Sequence, residues 1–228
     1  MNASAELACN STSVLSFMST KTVAVFGGAF DPVHLDHVRL AKLCLDLKLC
    51  DELWFVPSPD RWDKKPFASA EDRLSMLDLV VGDDPRIRIS EVELAMGDYR
   101  GSYVTMSMLR DEHPDVNFRL LVGADSYGGI PHWRDPLHFY GTEFNGEKLL
   151  REFELIVFER RGTPKPDVEA HRAKGFAKMF WVGMENGFDG KYASCDIRRK
   201  LFFEQGEKPE GLDPKVYAYI AERKIYRL

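Results

Sequence analysis

An α/β fold with a doubly wound, mostly parallel sheet and C-terminal helices is predicted by three features of the sequence. Short β-branched apolar runs recur along it, segments of helical periodicity alternate with them, and a glycine pair stands at the first strand-to-helix junction. The chain has 228 residues, 44% of them hydrophobic, which suits one large core and is too short for two ample ones. Residues 21–228 are therefore read as one domain. Residues 1–20 are Ser-rich and lack a basic region ahead of their short apolar stretch, so a disordered tail is expected there rather than a secretory signal.

The first strand is Thr22-Val23-Ala24-Val25-Phe26, almost continuously apolar as a strand buried on both faces should be. It ends in Gly27-Gly28. After Pro32, apolar residues at Leu35, Val38, Leu40, Ala41, Leu43, Leu45, Leu47 and Leu49 run for several turns without a breaker and predict a helix. Residues 53–56 form the second strand, stopped by Pro57. A helix over 69–81 opens on Ser69-Ala70-Glu71-Asp72, a capping-box pattern, and a short strand follows at 87–89. The scheme continues with a helix over 103–110 and strands at 118–122, 155–158 and 179–182. Two helices close the chain, 194–203, with Ser194 or Cys195 near its start, and 214–223, with Pro214 early in its first turn.

A formal charge of −5 argues against a nucleic-acid partner, because such proteins usually carry a broad basic face. No apolar run approaches the ~20 residues that a bilayer span needs, so no membrane partner is expected. The cysteines at 9, 44, 50 and 195 match neither a disulfide framework nor a zinc spacing and are read as reduced thiols of a cytoplasmic protein, with the nucleus left open.

Chemistry concentrates in residues 27–37, where the first strand gives way to the first helix. Ligands of open α/β sheets bind at this carboxyl edge, where paired glycines admit a phosphate and a helix N-terminus offers N–H donors. His34 and His37 stand three apart, so both rings project from one side of the first turn and can donate to phosphate oxygens. Asp36 lies between them; two positions on along a helix faces away from His34, and the side chain is expected to point to solvent.

This stretch resembles the GGxFDPxHxGH signature of the nucleotidyltransferase superfamily, and specifically its nicotinate and nicotinamide mononucleotide adenylyltransferase branch. Gly27, Gly28, Phe30, Asp31, Pro32, His34 and His37 match in register, and Asp36 departs from the usual glycine. Tyr192-Ala193-Ser194-Cys195-Asp196-Ile197-Arg198 resembles the family's ISSTxIR motif, keeping Ser194, Ile197 and Arg198, with Cys195 where threonine is usual. A third match, Gly123-Ala124-Asp125 with Trp133 downstream, resembles the family's strand-end GxD and tryptophan. Lys64 lies where the family sends a lysine to the phosphates. Arg73 fits its second helix in a structural role, and Arg160 stands where a later strand ends beside the adenine. Tyr103 and Thr105 fall in the segment whose backbone faces the pyridine, although the usual Tyr-Thr-x-Asp-Thr run is altered. The C-terminal segment ending in Ile225-Tyr226 fits the family pattern as packing. The similarity spans residues 22–227.

The resemblance implies a Rossmann-like fold and adenylyl transfer from ATP to nicotinamide or nicotinate mononucleotide, giving NAD or its nicotinate form and pyrophosphate. It implies ATP across the first helix, with Gly27, Gly28, Phe30, Ser194, Cys195, Ile197 and Arg160 around it. The mononucleotide would lie over Gly123, Asp125, Trp133, Tyr103 and Thr105, and His34, His37, Lys64 and Arg198 would serve the transfer. Mg2+ would be held mainly by the ATP phosphates, with no protein metal site. The backbone around 103–105 would accept amide or carboxylate, so use of both is expected. The first motif alone is shared with transferases acting on phosphopantetheine or choline phosphate, and a nucleotide-binding module without turnover is the reading from another class. A homo-oligomer is left open.

Overall fold

The computed structural model describes residues 20–60, 66–134, 144–160, 162–204 and 207–226. Six parallel strands form one sheet: β1 (Lys21–Gly28), β2 (Glu52–Pro57), β3 (Ile87–Ile89), β4 (Val116–Gly123), β5 (Glu154–Phe158) and β6 (Met179–Val182). Their order is β3-β2-β1-β4-β5-β6. The chain steps outward from β1 through β2 to β3, then crosses back to lay β4 on the other side of β1. The reversal opens a crevice between the carboxyl ends of β1 and β4, the place where such sheets bind ligands.

Period-two alternation divides the interior into two cores. Ala24, Phe26, Leu53, Phe55, Leu121, Ile156 and Phe158 face one side. Val23, Val25, Val56, Leu120, Val122, Leu155 and Val157 face the other. The first core is covered by α1 (Leu35–Asp46), which buries Leu40, Ala41, Cys44 and Leu45, and by α2 (Ala70–Val81). Beyond the short α3 (Val92–Ala95), the second core is covered by α4 (Ser102–Glu112) through Tyr103, Met106 and Leu109. After the single-turn α5 (Ala124–Tyr127), α6 (Gly146–Glu152) adds Leu149 and Leu150 to that side. The short α7 (Val168–Ala173) precedes β6, and α8 (Ser194–Phe203) and α9 (Pro214–Arg223) return to the first core through Ile197, Leu201, Val216 and Ile220.

Ser69 Oγ accepts the Asp72 N–H at 3.0 Å, the cap the sequence leads one to expect, and Asp213, just ahead of Pro214, accepts the Lys215 N–H. Cys44 and Cys50 are buried free thiols; burial pushes Cys50 up to about 11 and Cys44 further, and both pack as apolar groups. Cys9 lies outside the described residues. No helix of the described residues is long and apolar enough to cross a membrane.

Asp36 departs from expectation. It turns away from His34, yet it is only 2% exposed. Its Oδ2 accepts the Tyr192 N–H at 2.7 Å and its Oδ1 accepts from Arg39 at 3.1 Å. Helical periodicity fixes the direction in which a side chain leaves its own helix. What packs there, in this case the segment leading into α8, is a tertiary fact.

Candidate active site

The loop joining β1 to α1 carries the first motif and is held from behind. Phe30 adopts a left-handed φ of 50°, sparsely populated for a residue with a side chain, and its buried ring packs edge-on against Phe26 and Phe55. That ring lies over Gly28, where a Cβ would come within 3.2 Å of it. A Cβ at Gly27 would meet no protein atom within 4 Å, because this residue borders the open crevice. Arg73, 1% exposed, reaches from α2 and donates through Nη1 to the Ala29 carbonyl at 2.9 Å and the Ser58 carbonyl at 2.8 Å. It ties the loop to the end of β2, a structural role as expected.

Asp31 is the other anchor. Its carboxylate accepts the N–H groups of Phe67 at 2.9 Å and Ala68 at 3.0 Å, and the Tyr226 hydroxyl at 2.7 Å. Arg198 Nη1 lies 3.5 Å from Asp31 Oδ2 and also donates to the Asp31 carbonyl, while its guanidinium sits 4.9 Å from the Phe67 ring centre. Ser194 Oγ donates to the Pro32 carbonyl at 2.8 Å, which docks the start of α8 against the same loop.

His34 and His37 come together as their spacing predicts, with rings stacked 3.6 Å apart. The His34 backbone N–H donates to His37 Nδ1 at 3.1 Å. An Nδ1 that accepts leaves the hydrogen of the neutral ring on Nε2. Burial first, then the charges of His34 and Arg160, hold His37 well below the usual histidine range. His37 is thus a neutral ring with an oriented Nε2–H donor, and it lines the crevice.

The crevice is a cavity of about 600 Å3, within the size range of small-ligand sites. Phe26, Gly27, Gly28 and His37 form its β1 side, Gly123, Asp125 and Trp133 its β4 side, and Phe158 and Arg160 the end of β5. A Cβ at Gly123 would stand 2.5 Å from Asp125 Oδ1, so a larger residue there would push that carboxylate aside. Arg160 spans the mouth, its Nε 3.6 Å from Asp125 Oδ2 and its Nη1 donating to the Tyr192 carbonyl at 3.4 Å. A cation, an oriented imidazole donor and a strand-end carboxylate therefore converge on one space. Such a space can hold phosphates at one end and sugar hydroxyls at the other.

Other expected residues stand elsewhere. His34, Phe30, Ser194, Cys195, Ile197 and Arg198 lie outside the cavity wall; Ile197 is packed in the first core and Cys195 is exposed. Tyr103 and Thr105 are enclosed in the protein, Tyr103 donating to Glu152 and Thr105 to Glu93 at 2.7 Å. Their side chains turn inward on α4, and Tyr99 and Ser102 face the cavity instead. The backbone expected to face the pyridine, 103–105, forms the first turn of α4, where the Val104 and Thr105 N–H groups are directed to the Gly101 carbonyl. Lys64 lies outside the described residues. Sequence reasoning also missed Ser58, Glu93, His132 and Arg134 on the wall. Ser58 had a signal, as it follows Pro57 at a carboxyl strand end; the others come from loops and a short helix without periodicity.

The first turn of α1 brings a second difference. Leu35 N–H donates to the Gly211 carbonyl at 2.8 Å and His37 N–H to the His34 carbonyl at 3.0 Å, so these amides are engaged within the protein. Donors that could meet an anion at this turn are therefore side chains rather than these amides. Among the described residues no three His, Cys, Asp or Glu side chains are grouped to hold a metal ion.

The chain matches the cytidylyltransferase-like family model over residues 25–200. It is 36% identical over 192 residues to a probable nicotinate-nucleotide adenylyltransferase of Geobacillus kaustophilus, covering 81% of this chain and 84% of the relative. A relative of the same description in Leptospira interrogans is 30% identical, with 91% and 98% covered. Among solved structures, the Plasmodium falciparum nicotinic acid mononucleotide adenylyltransferase complexed with NaAD superposes with a TM-score of 0.72 at 22% identity, covering 90% of this chain and 97% of that one. The structural likeness establishes a shared fold.

Proposed function

The chain belongs to the cytidylyltransferase-like family and, within it, to the nicotinate-nucleotide adenylyltransferases, and from that premise we propose that its cavity joins ATP to nicotinate mononucleotide with release of pyrophosphate. The observation that carries the reading is the oriented His37 Nε2–H beside Arg160 and the open Gly27 edge, facing Asp125 and Trp133 across the β1–β4 crevice. The nicotinate form is preferred over the amide because the relatives are named for it.

In this reaction an oxygen of the mononucleotide 5′-phosphate attacks the α-phosphorus of ATP, and the bond from that phosphorus to the bridging oxygen of pyrophosphate breaks. The protein forms no covalent bond. It contributes by holding two anions in line and by placing donors where charge grows on the leaving group. His37 donates from Nε2 to a phosphate oxygen and Arg160 supplies fixed positive charge at the mouth, while the positive end of α8 and Arg198, docked on the β1–α1 loop outside the cavity wall, serve the part of the triphosphate that extends beyond the cavity. Magnesium, accompanying ATP, would be held mainly by the phosphates and would neutralise their charge. Asp125 accepts ribose hydroxyls, and the half-buried Trp133 offers a flat face to the pyridine.

Pyrophosphate release from ATP with nicotinate mononucleotide, and none with phosphopantetheine or choline phosphate, is the expected result. Trp133→Ala should raise the KM for the mononucleotide by about 10- to 100-fold, the cost of a lost base-stacking face of ~1–3 kcal/mol. An unchanged KM with a lowered thermal midpoint would assign the ring to the second core, on which it also packs.

A further inference from the structure

Tyr226 lies just beyond α9, in a left-handed turn with φ of 60°, far along the chain from the motif it touches. Its position is secured. Ile225 N–H donates to the Ile220 carbonyl at 3.1 Å, and Tyr219 donates to Asp72 at 2.9 Å, which fixes α9 against the start of α2. From there the Tyr226 hydroxyl reaches Asp31 Oδ1 at 2.7 Å.

We infer that Tyr226 is a positioning residue for Arg198, acting through the Asp31 carboxylate; the inference rests on the adenylyl-transfer reading. The buried carboxylate of Asp31 has its two oxygens divided between tasks. Oδ1 accepts from Ala68 N–H and Tyr226 O–H, while Oδ2 accepts from Phe67 N–H and faces Arg198 Nη1 at 3.5 Å. Three donors share its negative charge and fix its plane. Arg198 is thereby aimed without being bound in the bidentate geometry that an unengaged carboxylate would offer. An arginine held this way can turn its remaining N–H groups to an incoming triphosphate. Without the Tyr226 donor the carboxylate is less satisfied and holds Arg198 more tightly, so Arg198 meets the phosphates less well. The C-terminal turn thus conditions a cation of the site although it touches no substrate.

The test is a double-mutant cycle of Tyr226→Phe and Arg198→Lys in the full chain, with each variant assayed well below its own thermal midpoint. Tyr226→Phe keeps the ring and removes only the hydroxyl. It should lower kcat/KM for ATP by about tenfold in the wild-type background and by less than about twofold beside Arg198→Lys, with the KM for the mononucleotide unchanged. Equal losses in both backgrounds, or no loss in either, overturn the inference, because a purely structural hydroxyl has no reason to depend on residue 198. A wild-type chain that releases no pyrophosphate from ATP and nicotinate mononucleotide would instead remove the functional reading on which the inference stands.

Discussion

His37→Ala should lower turnover by about 100- to 1000-fold while the KM for ATP moves far less, the pattern of a donor realised chiefly in the transition state. The geometry behind this is specific. Nδ1 is fixed by the His34 N–H, Nε2 bears the hydrogen, and the ring is wedged among His34, Phe26 and Phe30 with centroid distances of 3.6, 5.5 and 5.1 Å. Such a donor needs no reorientation as the leaving group gains charge. The depressed pKa gives the pH dependence its sign. The free enzyme already holds the ring neutral, so turnover should not fall as pH rises through ~6.5, the ordinary histidine value. Folding favours the neutral form, so this group's contribution to stability is present above that value and is lost as the pH falls toward the lower folded pKa. His37→Gln, which can place an N–H near the same point, should recover part of the rate. Equal rates for the alanine variant and the wild type would remove His37 from the chemistry.

Arg73→Met should be the most destabilising change near the site that touches no substrate. The side chain is nearly inaccessible, and one nitrogen serves two carbonyls, those of Ala29 and Ser58. Methionine fills most of the volume and satisfies neither. Two buried acceptors left unpaired cost about 3 kcal/mol together, or roughly 6–12 °C in thermal midpoint for a chain of this size. The Ala29 carbonyl belongs to the loop that presents Gly27, Gly28 and His37, so turnover should fall as well, even at temperatures where the variant is fully folded. A midpoint within about 2 °C of wild type, measured calorimetrically, would mean that the loop is held by Asp31 alone.

Much of this was legible in the sequence because it is local. The β1 run, the Gly27-Gly28 break and the His34–His37 spacing are read within one turn of chain, and they place the ligand edge before any tertiary contact is known. Gly123, Asp125 and Trp133 were singled out by their resemblance to the family's strand-end GxD and downstream tryptophan. Features made by contacts between distant segments were not legible. Asp36 is buried because Tyr192 folds over it, Asp31 is a junction because Tyr226 and Phe67 reach it, and neither partner is signalled near either aspartate. The short helices α3, α5, α6 and α7 span four to seven residues each and hold too few turns to show a periodicity. Tyr103 and Thr105 bond to Glu152 and Glu93, partners distant from them in the chain, while Tyr99 and Ser102 line the wall.

The central claim is direct transfer of the adenylyl group between two nucleotides held in line, with no adenylylated enzyme. It is tested most directly by incubating the chain with nicotinate mononucleotide and α-thio-ATP of one configuration at the α-phosphorus, and determining the configuration of the dinucleotide formed. A single displacement predicts inversion. Retention would require a covalent intermediate and contradict the account, and so would the absence of any dinucleotide from an enzyme that still cleaves the ATP analogue.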